Sequence, residues 1–336
     1  GSFFVPFGVL TFWRPFARFL FYRKQYWMKL LSKNSKYIML LIMVVFSTLV
    51  SDKFFSTTNI SNLFKQNAAV GIVALGELLV ILTGGIDLSV GAIVSMTTII
   101  TSLALKAELP IYVAIIGALA AGLAAGLING ILITRFKIIP FIATLATLNV
   151  FGGIALLLST GRQVFYENDV FLKLGSTSFG FMPLIAILWL IIAIVLSLVL
   201  EHTRAGRHLK GFGGNREAVR LSGVNINRVE LAAYTVSGLF CAIGGIIMAS
   251  RLTLGSNSAG DGWELTAIAS VVIGGASMTG GIGGVGGTIV GTLVMGLIGN
   301  VMNLLKVSIY WQQIIKGIII LVAVYASSVR KKESSK

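Results

Sequence analysis

The chain has 336 residues, 56% of them hydrophobic and only 12% charged, with a formal net charge of +15 at pH 7. Apolar runs near the ~20 residues that cross a bilayer recur along most of its length, which excludes an ordinary soluble domain and predicts an all-α polytopic membrane protein. A single cysteine, Cys241, excludes an intrachain disulfide or a cysteine metal cluster.

Residues 1–36 form a basic, aromatic segment in which seven Lys and Arg residues alternate with Phe, Trp and Tyr. It suits the cytoplasmic headgroup layer and does not resemble a cleavable signal peptide, because its charges follow the first apolar stretch. A transmembrane domain follows over 37–327. Its ten predicted helices cover 37–51, 66–82, 88–105, 110–134, 141–160, 182–200, 229–250, 265–280, 283–305 and 310–327, and 328–336 is a cytoplasmic tail. With both the N and C termini cytoplasmic, segments 1–36, 135–139, 201–230 and 328–336 hold 19 of the 27 Lys and Arg residues but 4 of the 12 acidic ones. The entire net charge then falls on one side, as the excess of Lys and Arg in cytoplasmic loops requires. The basic balance thus reports orientation in the membrane. Nucleic acid is not an expected partner, since neither a recognition motif nor stacking aromatics accompany the basic residues.

Between the second and third spans, the run Thr83-Gly84-Gly85-Ile86-Asp87-Leu88-Ser89-Val90-Gly91 predicts an interrupted helix. Backbone freed from helical pairing is tolerated at membrane depth only where protein or a water-filled cavity satisfies it. The wording then returns: 82–94 reads LTGGIDLSVGAIV and 278–290 reads MTGGIGGVGGTIV, with seven of thirteen positions identical at an offset of 196. Interrupted helices near 83–91 and 278–287, in corresponding places of two halves, point to a solute pathway. Candidate pathway residues are Glu77, Thr83, Asp87, Asn149 and Asn300. Each has a plainer reading. Asp87 can cap the third span through the amides of Ser89 or Val90, Glu77 can be paired, with Lys316 as one alternative, and membrane asparagines more often bond neighbouring helices. Gly122, Gly126 and Gly130, and again Gly283, Gly287 and Gly291, repeat every four residues and predict close helix packing.

The 281–286 glycines match G-x-G-x-x-G without a preceding soluble strand, so a dinucleotide site is rejected, and no P-loop occurs. Any ATP must therefore be hydrolysed by a partner subunit, and a cytoplasmic surface must receive that partner. The loop 201–228 is the one predicted cytoplasmic connection long enough. Within it Gly213, Gly214, Asn215, Arg216, Glu217, Ala218, Arg220, Leu221, Ser222 and Gly223 read as a short helix, with Asn215 as N-cap and Gly223 as left-handed terminator. On the opposite face, Arg162 and Arg251 stand outside the inward bias of positive charge and are candidates for receiving an acidic protein surface.

TGGIDLSVG, GGNREAVRLSGVNINRVE, WELTAIASVVIGGASMTGGIGGVGGT and YWQQIIKGIIILVAV together resemble the monosaccharide permease subunits of bacterial ATP-binding-cassette importers, the ribose and galactose permease family. The similarity runs from about Asn59 to Ala326. The resemblance implies a homodimer of ten-helix subunits, a cytoplasmic ATPase partner and an extracytoplasmic sugar-binding protein. It also implies that Gly213 to Gly223 is the coupling helix seated in the ATPase, that the chain binds no cofactor, and that it does no covalent chemistry. An ion-coupled secondary transporter is the alternative, because it too uses repeats and broken helices.

Overall fold

The computed structural model describes residues 35–334. The basic aromatic segment read over 1–36 lies outside them except for its last two residues. Thirteen helices are present among the described residues, with four two-residue strands in the connections. In chain order the helices are α1 (Ser35–Val50), α2 (Thr57–Leu82), α3 (Val90–Lys106), α4 (Ile111–Thr134), α5 (Pro140–Ser159), α6 (Asp169–Ser176) and α7 (Leu184–His202). They continue with α8 (Arg204–Gly214), α9 (Arg216–Leu221), α10 (Ile226–Leu252), α11 (Trp263–Ile273), α12 (Val285–Leu304) and α13 (Ile309–Ser334). Six, α2, α4, α5, α7, α10 and α12, are long and apolar enough to cross a membrane. Four more, in α1, α3, α11 and α13, offer shorter apolar stretches.

The bundle is built with its more polar helices inside. α2 has the lowest mean hydropathy of the six, 1.5, and 83% of its apolar window is buried, whereas α7 has the highest, 2.9, and is one-third buried. In lipid the hydrophobic effect does not draw apolar faces together, so apolar side chains can face the acyl chains while small and polar residues make the helix contacts. α4 seats Gly122, Gly126 and Gly130 on α10: a Cβ at these positions would strike the Gly238 carbonyl, the Tyr234 carbonyl and the Leu231 side chain in turn. In the same way Gly287 and Gly291 of α12 lie on the backbone of Gly274 and Ser270 at the end of α11. Trp189 of α7, 1% exposed, packs where Gly71 leaves room on α2.

Several predicted boundaries move. α2 begins at Thr57 rather than 66, because Ser56 caps it through the Asn59 amide and polar residues fill its first turns. The eighth span, expected over 265–280, is α11 alone; it stops at Ile273, where Gly274 and Gly275 open a turn with Gly275 at φ +95°. The tail expected from 328 instead continues α13 to Ser334.

At one end of the bundle, α6 and the strands form a cap. β1 (Val164–Phe165) pairs antiparallel with β4 (Leu254–Gly255), and β2 (Ser178–Phe179) with β3 (Met182–Pro183). Asn168 caps α6 through the Phe171 amide, and Ser250 Oγ receives the Gly175 amide at 2.8 Å and donates to the Phe171 carbonyl at 2.7 Å. α8 and α9 occupy the opposite end, separated from the cap by the lengths of α7 and α10.

Candidate functional site

Between α7 and α10 the chain forms two short helices rather than one. Thr203 caps α8 through the Gly206 amide, and Asn215, which ends α8, accepts the Ala218 amide at 3.0 Å and so starts α9. Gly213 and Gly214 are therefore the last residues of α8. Ser222 follows α9, and Gly223, at φ +84°, turns the chain out of it. No residue of α9 is buried, and Leu221 is 76% exposed. What fixes this knob is at its root. The Arg216 guanidinium lies over the Phe212 ring, 4.7 Å from its centre, and pairs at 2.9 Å with Glu230 on the first turns of α10. Arg220 donates to Glu217 through Nη2 at 2.6 Å and Nε at 3.0 Å, on the exposed surface. That partner holds the Glu217 carboxyl below the ordinary carboxylate range.

The C-terminal end of α8, just before α9, carries the contact that matters most. A Cβ at Gly213 would strike the Leu82 carbonyl at the end of α2 and the Gly281 amide nitrogen. Those two groups are already bonded to each other, the Gly281 amide donating to the Leu82 carbonyl at 3.0 Å. The two repeated glycine runs thus lie against one another, and the end of α8 lies against both. Gly84 and Gly280, at φ +80° and +88°, make the turns that allow it, in a region of backbone space that glycine alone enters without cost. The runs connect separate helices, α2 to α3 and α11 to α12, and do not interrupt continuous ones.

Glu77 and Asp87 are both fully enclosed. The Asp87 amide donates to Glu77 Oε1 at 3.2 Å, and Asp87 Oδ1 accepts both the Ser89 amide at 2.9 Å and the Ser89 hydroxyl at 2.6 Å. From Ser89 the chain of bonds continues through Asn129 Nδ2, at 2.7 Å, and from Asn129 Oδ1 to the Thr147 hydroxyl, at 2.7 Å. This network joins the α2–α3 loop to α2, α4 and α5. The amides of Thr83, Gly84 and Gly85 bond back to the last turn of α2, and those of Asp87 and Ser89 are held by the Glu77 and Asp87 side chains instead. Glu77 Oε2, Asp87 Oδ2 and the Tyr234 hydroxyl complete the enclosure without a hydrogen-bond partner. Neither acid is in an ion pair: the pairs among the described residues are Arg216–Glu230 and Glu217–Arg220, so Lys316 does not neutralise Glu77.

The remaining sequence candidates are dispersed. Thr83 is 8% exposed and bonds back to the Val80 carbonyl at 2.6 Å. Asn300 is 6% exposed and exchanges two hydrogen bonds with Asn59, at 2.8 and 3.2 Å, locking α12 to α2. Asn149 is exposed on α5 and donates to the Leu145 carbonyl at 3.0 Å. Arg162 is exposed just before β1, while Arg251 is half-buried at the end of α10 with its guanidinium 3.5 Å from Met248 Sδ. The β1–β4 ladder brings the two arginine-bearing segments to the same end. Sequence reasoning left Asn59 and Thr147 out, because each acquires its polar partner only when distant helices pack. No group of three or more His, Cys, Asp or Glu residues able to hold a metal occurs among the described residues.

The family model for the branched-chain amino acid transport system / permease component matches residues 59–324. Among curated proteins, the ribose import permease protein of Bacillus subtilis is 41% identical over 306 residues, 90% of this chain and 94% of that one. The ribose import permease protein of Haemophilus influenzae is 37% identical over 304 residues, 89% of this chain and 94% of that protein. The L-arabinose transport system permease protein of Escherichia coli is 38% identical over 264 residues, covering 78% and 80% respectively. No solved structure matches the chain. By the extent of the family match and of these likenesses, the chain belongs to this family of transport permease components.

Proposed function

We propose that this chain is the membrane-spanning permease of an importer that moves a monosaccharide across a bacterial inner membrane, driven by a separate ATP-binding-cassette ATPase. The observation that carries this reading is the junction of Gly213 with both repeated glycine runs, set behind an exposed, capped helix that has no packing role of its own. A force applied to α9 passes through the last residues of α8 directly to the end of α2 and the connection between α11 and α12. The likeness to ribose and arabinose permeases supports an aldopentose or similar small polyol as solute. In this reading the chain crosses the bilayer ten times, through α1 to α5, α7, α10, α12 and α13 and through the short α11 together with the 254–262 segment that leads into it, and both termini and the α8–α9 knob are cytoplasmic. Two copies of the chain pack around the pathway, and an extracytoplasmic binding protein lands on the cap near Arg162 and Arg251. Glu77 and Asp87 hold the α2–α3 loop in place. The chain itself binds no cofactor; ATP is bound and hydrolysed by the partner.

The test is uptake into vesicles reconstituted with this chain, its ATPase and its binding protein. Wild-type uptake should require ATP and the binding protein. Glu217→Arg, on an exposed position, should leave the permease folded and reduce uptake about tenfold or more by placing like charge where the ATPase seats, a loss of about 1.4 kcal/mol of coupling. Uptake by this chain alone, driven by an imposed ion gradient, would overturn the proposal. Reversing the charge of Arg162 and Arg251 together should weaken binding-protein docking while ATPase association persists; unchanged docking would remove that part of the reading.

A further inference from the structure

The connection from α10 to α11 does not stay at the cap. After β4 it descends along α3, and successive contacts mark its course. Gly255 packs on Ser102 and Thr98; the Ser256 carbonyl accepts the Thr98 hydroxyl at 2.9 Å; the Gly260 amide donates to Ser95 Oγ at 3.0 Å; and Gly260 lies directly on the backbone of Gly91. From Ser102 to Gly91 the segment passes eleven residues of α3, or about 16 Å of helix. α11 therefore starts well below the cap, beside the first turn of α3, where the TGGIDLSVG loop ends. Its eleven residues reach only about 16 Å, half of a bilayer's hydrocarbon thickness.

Where these two non-helical segments meet, a cleft of about 270 Å³ opens, lined on one side by Asn257, Asp261 and Glu264 and on the other by Ala92, Leu148 and Gly152. Glu264 lies in the first turn of α11, and a Cβ at Gly91 would stand 2.6 Å from its Oε2. The side chains of Asn257 and Asp261 enter none of the hydrogen bonds or ion pairs that hold the segment; Ser256 and Gly260 do that work through α3. The segment is thus fixed by its backbone while its polar side chains border the cleft. Two carboxylates and an amide facing a wall of Ala, Leu and Gly suit a small polyol. Carboxylates accept adjacent hydroxyls, an amide both donates and accepts, and the apolar wall takes the C–H face of a ring.

We propose that this cleft is a monosaccharide subsite within the permease, with Asp261, Glu264 and Asn257 bonding the sugar hydroxyls and Leu148 and Ala92 facing its ring. The proposal rests on the sugar-import reading and deepens it by giving the permease its own solute contact. Gly152 supplies a reporter. A Cβ there meets nothing within 4 Å, and Cys241 is buried, so Gly152→Cys in a Cys241→Ser background puts one reactive thiol on the cleft wall.

The experiment measures the rate at which a small thiol reagent modifies Gly152→Cys in the detergent-purified full chain, with D-ribose, L-arabinose or D-allose as probes. Should Gly152→Cys not purify as a single species, calorimetric titration of the unsubstituted chain with the same sugars takes its place, and Asp261→Asn with Glu264→Gln should abolish the binding heat. A monosaccharide should slow modification about threefold at a concentration of about twice its dissociation constant, and Asp261→Asn with Glu264→Gln should remove the protection. Rates unaffected by any of the three sugars, or slowed by Mg2+ or Ca2+ alone, would overturn the subsite. Failure of ATP-dependent uptake in the vesicle experiment would overturn the import reading and leave this labelling result standing, so the two are separable.

Discussion

At the scale of single residues, the enclosed carboxylates set the clearest expectations. Glu77 accepts the Asp87 amide, and no cationic side chain pairs with either acid. Glu77→Gln keeps that acceptor on a side chain that cannot ionise, so its thermal unfolding midpoint in detergent should match or exceed the wild type. Glu77→Leu leaves the Asp87 amide without a partner and should cost about 1–3 kcal/mol in the same measurement. Tyr234→Phe removes an enclosed hydroxyl that has no hydrogen-bond partner and should be near neutral alone. That hydroxyl also occupies the space a Cβ at Gly85 would need. Gly85→Ala should therefore be destabilising by itself and substantially rescued in the Gly85→Ala, Tyr234→Phe double variant, a coupling that a double-mutant cycle of unfolding midpoints would reveal. The capping of α9 by Asn215 could be read from sequence, because an Asx residue before an Arg-Glu pair and a glycine eight positions on are local signals. The pairing of Asn300 with Asn59 could not, since the partners lie 241 positions apart and each looks like any other membrane asparagine.

At the scale of elements, α9 is held by one ion pair that matters and one that does not. Arg216 is half-exposed but its partner Glu230 is 6% exposed, so Arg216→Ala leaves a nearly buried carboxylate alone and should cost on the order of 1 kcal/mol, discounted for the exposed guanidinium. Both Glu217 and Arg220 are 61% exposed, and Arg220→Ala should change stability little. Unfolding midpoints of the two variants compare these directly. Arg220 does act on charge. The Glu217 carboxyl is held below its ordinary value, so whatever the ionised form contributes is fully present above the unfolded carboxylate range and is lost only as pH falls through the lowered value. ATPase association should accordingly be flat from neutral pH down to about pH 5, and Arg220→Ala should move its acid limb upward. The short α11 was misjudged in sequence because Trp263 to Met278 is apolar enough to pass for a span. Its true length is set by Gly274 and Gly275 below and by the descent of 254–262 above, and those nine residues look like an ordinary polar connection.

At the scale of the whole molecule, the all-α architecture and most of the helices were legible, because hydropathy is what lipid reads. The arrangement of those helices was not, since packing in lipid is decided by small and polar residues whose partners are non-local. The internal repeat was visible as text, but that its two copies touch is a property of the folded bundle alone. Orientation is testable with impermeant thiol reagents in a Cys241→Ser background. Ser222→Cys, beyond α9, should label only from the cytoplasmic face, and Ser178→Cys, in the cap, only from the other. Labelling of both from one side would contradict the ten-span reading.

The meeting of Gly213 with the two glycine runs has a mechanical consequence. Backbone rests on backbone there, with no flexible side chain between, so the joint has little compliance. It behaves as a gear tooth engaging two wheels at once, and under the proposed coupling a stroke delivered at α9 would turn both halves of the subunit in step. Fitting a larger tooth, Gly213→Val, should leave ATP hydrolysis running while the wheels no longer follow, and the ratio of sugar moved to ATP consumed would report the slip.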